Sequence, residues 1–150
     1  MEVFRISKEA YSSALTSSGT ANRWNEKGQQ VIYAGSSRSL SSLELIVHKG
    51  AVVPSESYRV MVISIADDDH LYKQIHTNDL PSNWRTFDAY SKLQKIGSDW
   101  IAGQQSLVLK VPSAVIPFEY NYIINREHPK FLSKVKLVRT EAYFWDSRLL

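Results

Sequence analysis

Apolar and polar positions recur along this chain with two periods, two residues and about three and a half, and the switches fall at glycines, prolines and serine clusters. YRVMVISIA (58–66) is the clearest strand. Tyr58, Val60, Val62 and Ser64 alternate there with Arg59, Met61, Ile63 and Ile65, and both faces are largely apolar, as a central strand requires. VFRI (3–6) predicts a short opening strand, followed by a weak helix or turn to about Leu15. VIYAG (31–35), LVLKV (107–111), NYIIN (121–125) and KVKLVRTEAYFW (134–145) are further strands, the last showing alternation over Val135, Leu137 and Arg139. Helical spacing predicts one helix over about 39–49, with Ser36, Ser37 and Ser39 as candidate N-caps and Gly50 as its stop. Tyr90, Leu93, Ile96 and Trp100 predict another over 88–102, although Gly97 weakens it. The small polar run 16–22 and the proline-containing stretch 77–87 read as loops.

Helices before, between and after strands, without a regular βαβ rhythm, favour an α+β fold over a doubly wound sheet. No GxGxxG or P-loop is present. At 150 residues, with 43% hydrophobic and 22% charged residues, the chain is long enough for one ordinary core. There is no internal repeat or linker, so a single domain over 1–150 is expected. The net charge of +3 is mild and its Lys and Arg are scattered, which predicts no polyanionic partner. With no cysteine, disulfides, thiolate metal sites and a Cys nucleophile are excluded. The N-terminus lacks the apolar core of a signal peptide, and the longest apolar runs are too short to span a bilayer. A soluble cytoplasmic protein is the expectation.

The candidate chemistry lies in RWNEKGQQVIYAGSSRSLSSLELIVH (23–48). Arg23, Tyr33 and Glu44 each fall on a different local element there, so they can converge in space. On its helix Glu44 shares a stripe with Leu40, Leu43 and Val47, and a charge among leucines is costly unless something uses it. For each of the three taken singly, packing or a solvated rim position is the commoner explanation. Ser113 follows Pro112 at a strand end, but VPSAV is no nucleophile elbow, which excludes a Ser-His-Asp hydrolase of that kind. The four histidines have no metal-ligand spacing, and Asp67, Asp68 and Asp69 beside His70 read as a solvated turn.

Taken in order, these segments resemble the RES-domain toxin family. The matching runs are FRIS (4–7), RWNEKGQQVIYAG (23–35), SLELIVH (42–48), LPSNWR (80–85), IGSDW (96–100), VPSAVIPFEYNYIINREHP (111–129) and FWDSRLL (144–150), which span nearly the whole chain. The resemblance implies an ADP-ribosyltransferase-like mixed sheet with flanking helices. It also implies a bacterial toxin that consumes NAD by cleaving the nicotinamide–ribose bond, by phosphorolysis or by hydrolysis. Carried over by motif, Arg23, Tyr33, Glu44 and Ser113 would be catalytic, and Arg5, Trp24, Asn25 and Asn121 would bind substrate. Tyr33 would stack on nicotinamide or ribose, and Ser113 would bond the carboxamide or a phosphate. No cofactor or metal is implied: NAD is substrate, with inorganic phosphate as co-substrate in the phosphorolysis alternative.

The implied partner is an Xre-type helix-turn-helix antitoxin, with a toxin homodimer inside a larger complex and no direct nucleic-acid or membrane contact. Two positions depart from the family pattern: Asn22 precedes Arg23 where glycine is usual, and Arg126 follows Asn125 where proline is frequent. A protein-modifying ADP-ribosyltransferase would use the same residues. A catalytically silent partner-binding module is the alternative of another class.

Overall fold

The computed structural model describes residues 1–50 and 55–149; Leu150, the last residue of the FWDSRLL motif, lies outside them. Among the described residues seven strands are formed: β1 (Glu2–Lys8), β2 (Val31–Gly35), β3 (Tyr58–Ile65), β4 (Tyr72–Gln74), β5 (Val108–Pro112), β6 (Tyr120–Asn125) and β7 (Val135–Ala142). They make one mixed sheet in the order β4-β5-β6-β2-β1-β3-β7. Only β4 and β5 run parallel; every other neighbouring pair is antiparallel. Helices α1 (Arg38–Lys49), α2 (Tyr90–Gly103) and the single turn α3 (Phe131–Lys134) complete the α+β arrangement expected from the pattern.

Strand alternation divides the core. Ile32, Ala34, Met61, Ile63 and Ile124 point to one face of the sheet. Val31, Tyr33 and Ile123 point to the other, where Leu93 and Trp100 of α2 cover them. Residues one apart go to opposite faces because strand side chains alternate, so a sheet packed on both sides reads as a continuous apolar run. β3 follows that rule, with Val60 and Val62 in a third cluster beside Phe4. It is flanked by β1 and β7 and stands second from the sheet's end rather than at its middle.

Local chemistry sets the ends of α1. Ser37 is the N-cap, its Oγ accepting from the Leu40 amide at 3.0 Å, and Gly50 terminates the helix with φ +74°, a backbone region that costs other residues strain. The helix packs on β1 and β2. Ser41 Oγ fastens it by donating to the Phe4 carbonyl at 2.8 Å. Gly35 permits that approach, since a Cβ there would stand 2.5 Å from Ser41 Oγ. Two short elements, β4 and α3, form where no periodicity announced them. Both helices stand on one face of the sheet and leave a cleft there, over β1, β2 and β6.

Candidate active site

Glu44 lies in the second turn of α1, and its carboxylate is held by two neutral donors. Oε1 accepts from Ser113 Oγ and from Asn121 Nδ2, both at 2.7 Å. Ser113 Oγ in turn accepts from the amides of Val115 and Ile116, each at 3.0 Å. Its acceptor capacity is thereby used from behind, and its only proton is directed at Glu44. Bonds to an ionised oxygen are the stronger kind, so this pair fixes the carboxylate's position. Among the described residues, Oε2 has no hydrogen-bond partner.

Ser113 lies just past the end of β5 and Asn121 within β6. The loop between them closes through the Ser113 amide donating to the Glu119 carbonyl at 2.8 Å. Ser113 is 1% exposed, so its hydroxyl belongs to the wall behind Glu44. The hydroxyl expected to bond a ligand is engaged by Glu44 in this structure.

Arg23 is delivered by a loop seated on α2. Tyr33 Oη, projecting from β2, accepts from the Trp24 amide at 3.1 Å and donates to Asn25 Oδ1 at 2.6 Å. Asn25, wholly buried, donates its amide to the Thr20 and Glu26 carbonyls. Burial pushes the Tyr33 phenol above its ordinary range. These bonds leave the hydroxyl no role toward a ligand; only the ring is offered to the cleft.

The loop's contact with α2 explains Gly97. A Cβ at that position would sit 1.6 Å from the Trp24 carbonyl oxygen, so glycine lets backbone touch helix. Gln94 Nε2 adds a bond to the Asn22 carbonyl at 2.9 Å. Thus anchored, Arg23 donates from Nη1 to the Trp84 carbonyl at 3.0 Å and stacks 4.9 Å above the Tyr90 ring. Arg5, on β1, donates from Nη1 to the Thr16 carbonyl at 2.7 Å, and burial lowers its pKa from the usual arginine value. Neither arginine pairs with a carboxylate among the described residues.

The cleft has a volume of about 470 Å³, and Arg5, Arg23, Trp24, Tyr33, Glu44 and Asn121 all line it. Asn25 and Ser113 are buried behind that lining, each bonded to a residue that belongs to it, Tyr33 and Glu44 respectively. His48 and Tyr90 line it as well, and neither was among the residues picked out from the sequence. His48 follows Glu44 by one helical turn, a spacing that places both on one face and was available to be read. Tyr90 enters the sequence pattern only as one of the positions at helical spacing in α2. The two departures from the family pattern are accommodated. Asn22 Oδ1 accepts from the Arg23 amide at 2.8 Å with no left-handed backbone, and Arg126 Nε donates to the Leu15 carbonyl at 3.0 Å. No cluster of metal-ligating side chains occurs among the described residues.

Fold and site define an α+β protein whose cleft opposes one fixed carboxylate to two arginines lacking counter-charges, between aromatic walls. Such a cleft suits an anionic ligand and can meet positive charge developing beside the carboxylate. The chain belongs to the RES domain family, whose model matches residues 2–146. It is 33% identical to the protein called Toxin Res of Yersinia enterocolitica over 99% of both chains. It is also 33% identical to the Prs ADP-ribosylating toxin of a Sphingobium species, over 87% of this chain and 81% of that one. In structure it resembles the M. tuberculosis MbcT-MbcA toxin-antitoxin complex, with a TM-score of 0.77 over 95% of this chain and 83% of the other, at 18% identity. That likeness concerns the fold.

Proposed function

We propose that this chain is the toxin of a toxin–antitoxin pair and that it breaks the nicotinamide–ribose bond of NAD. The observation that carries this reading is Glu44, a carboxylate that lines the cleft and is fixed through one oxygen, with no partner on the other among the described residues. When the bond breaks, its electron pair goes to the pyridinium nitrogen and neutral nicotinamide leaves. Positive charge then spreads over the ribose C1 and ring oxygen. A carboxylate about 4 Å away at an effective dielectric of about 20 stabilises that charge by on the order of 4 kcal/mol. Realised only in the transition state, this is worth roughly a thousandfold in rate.

Ser113 and Asn121 hold the carboxylate in place before the reaction, so little reorganisation is required. Arg23 and Arg5 hold the pyrophosphate or an incoming phosphate, and the Tyr33 ring packs beside nicotinamide or ribose. An acceptor oxygen then bonds to C1. Phosphate yields ADP-ribose-1″-phosphate; water yields ADP-ribose and releases a proton. The relatives called toxins and the toxin–antitoxin neighbour support an antitoxin partner, which we take to be an Xre-type helix-turn-helix protein.

Purified protein incubated with NAD, with phosphate as the only variable, tests the reading. Mass analysis should find free nicotinamide and, with phosphate, the phosphorylated sugar. NAD intact under both conditions overturns it. A second reading, transfer of ADP-ribose to a protein, is favoured by the name of the Sphingobium relative. It predicts labelled ADP-ribose on a protein rather than on phosphate or water.

A further inference from the structure

Phe87 is a large apolar side chain left 79% exposed, yet it is mounted on ordered backbone. It begins the 3₁₀ turn Phe87–Ala89 that leads into α2. That turn is closed by the Ala89 amide donating to the Thr86 carbonyl at 3.2 Å and anchored by buried Ala89. Thr86 Oγ1 donates back to the Asn83 carbonyl at 2.8 Å, and the next residue, Trp84, supplies the carbonyl that holds Arg23. The Phe87 ring leans on Tyr90 with centroids 4.8 Å apart and planes tilted by 37°. Tyr90 carries the Arg23 guanidinium over its own ring. A contact series therefore runs from Arg23 through Tyr90 to Phe87. The first two line the cleft; the last lies outside that lining, against Tyr90, with most of its ring open.

A dinucleotide presents the matching series. Its pyrophosphate is flanked by two nucleosides, so an arginine on the pyrophosphate with the nicotinamide ribose at Glu44 has a purine to accommodate further out. Every base offers a π-face, and an exposed aromatic ring is the usual protein surface for it. We propose that Phe87, braced by Tyr90, is the stacking platform for the adenine of the substrate. The site thereby prefers a dinucleotide to nicotinamide mononucleotide. This rests on the NAD reading above and extends it to the end of the molecule remote from the reacting bond.

AMP provides a probe that needs no turnover, because it carries the purine but no nicotinamide. Saturation-transfer NMR should show the adenine protons in contact with the wild-type protein. Phe87→Ala should weaken AMP binding about tenfold, and Phe87→Trp should restore it. Ribose 5-phosphate, which has no base, should bind wild type and Phe87→Ala alike. With NAD as substrate, Phe87→Ala should raise KM by a similar factor, leaving turnover of nicotinamide mononucleotide unchanged. Because Phe87 buries little, the variant should melt with the wild type. No contact of the adenine protons with the wild type, unchanged AMP affinity in Phe87→Ala, or equal loss of AMP and ribose 5-phosphate would each overturn the platform. NAD left intact while AMP still binds through Phe87 overturns the cleavage reading alone.

Discussion

The cleft and the β7 edge of the sheet hold the same kinds of charged side chain and treat them in opposite ways. At the edge, Glu141 takes a bidentate grip from Arg38, with both bonds at 2.8 Å, and a further bond from Arg139 at 3.0 Å. The Arg38 bonds, then Arg139, draw its pKa down to about 2. In the cleft, Glu44 is held by a hydroxyl and an amide, and Arg5 and Arg23 by backbone carbonyls. Neutral partners fix a charged group without cancelling it. The edge cluster satisfies its own charges in water, where such pairs are screened and contribute little. The cleft keeps its charges available for a ligand, and that difference singles it out as the seat of the proposed chemistry.

The largest test of this contrast is Glu44→Gln. Glutamine can still accept from Ser113 and Asn121, so the fold should persist while NAD turnover falls roughly a thousandfold. A variant retaining more than a tenth of wild-type activity would refute the role given to the charge. Ser113→Ala should come next. It removes the directed hydroxyl and leaves the Val115 and Ile116 amides without their acceptor, lowering stability by about 2 kcal/mol and kcat by about thirtyfold. If KM rises instead with kcat unchanged, Ser113 contacts substrate after all.

Tyr33→Phe sharpens the comparison on the arginine side and carries a pH signature. The folded-state phenol titrates above its unfolded value near 10, so the folded protein holds that proton more tightly. The associated stability is full below about pH 10 and is lost as pH rises through the folded value. Alkaline denaturation should therefore be steeper in wild type than in Tyr33→Phe. Tyr72, raised to about 12 chiefly by burial, contributes equally to both proteins and sets the background slope. At neutral pH the variant should lose about 1–2 kcal/mol, because Asn25 Oδ1 and the Trp24 amide lose their partner.

The smallest effect belongs to Glu141→Gln, with NAD turnover unchanged and the melting temperature within about 2 °C of wild type. Its depressed pKa works in the opposite direction to Tyr33: its contribution is present above about pH 4 and disappears as pH falls toward 2. The acid limb of the melting curve should flatten slightly in the variant, and less so at high salt.

Much of the fold was legible because it depends on neighbours in the chain. Strands β2, β3 and β6 are apolar runs of the right length, and α1 carries its own start at Ser37 and stop at Gly50. The three-residue β4 and the single-turn α3 are too short to show a period; they form because β5 and β7 stand beside them. Gly97 misleads when read locally, since it weakens α2 as a helix but is required where the Trp24 carbonyl packs against it.

For the site, residue types and their ordered motifs marked Arg5, Arg23, Tyr33, Glu44 and Asn121, all of which line the cleft. Distinguishing contact from support lay beyond any one-dimensional reading. Asn25 and Ser113 carry the same motif signal as their neighbours yet stand behind the wall, and Tyr90 lies in none of the motif runs yet lines the cleft.

The sequence by itself determined the longer elements, through residue type and short-range periodicity, and its ordered motifs carried the family and the candidate side chains. Only the tertiary structure decided that the Ser113 proton goes to Glu44, 69 positions away, and that Arg23 is held by a carbonyl 61 positions along the chain. A hydrogen bond's direction depends on which donors and acceptors meet in space. In this protein those groups come from different strands, helices and loops.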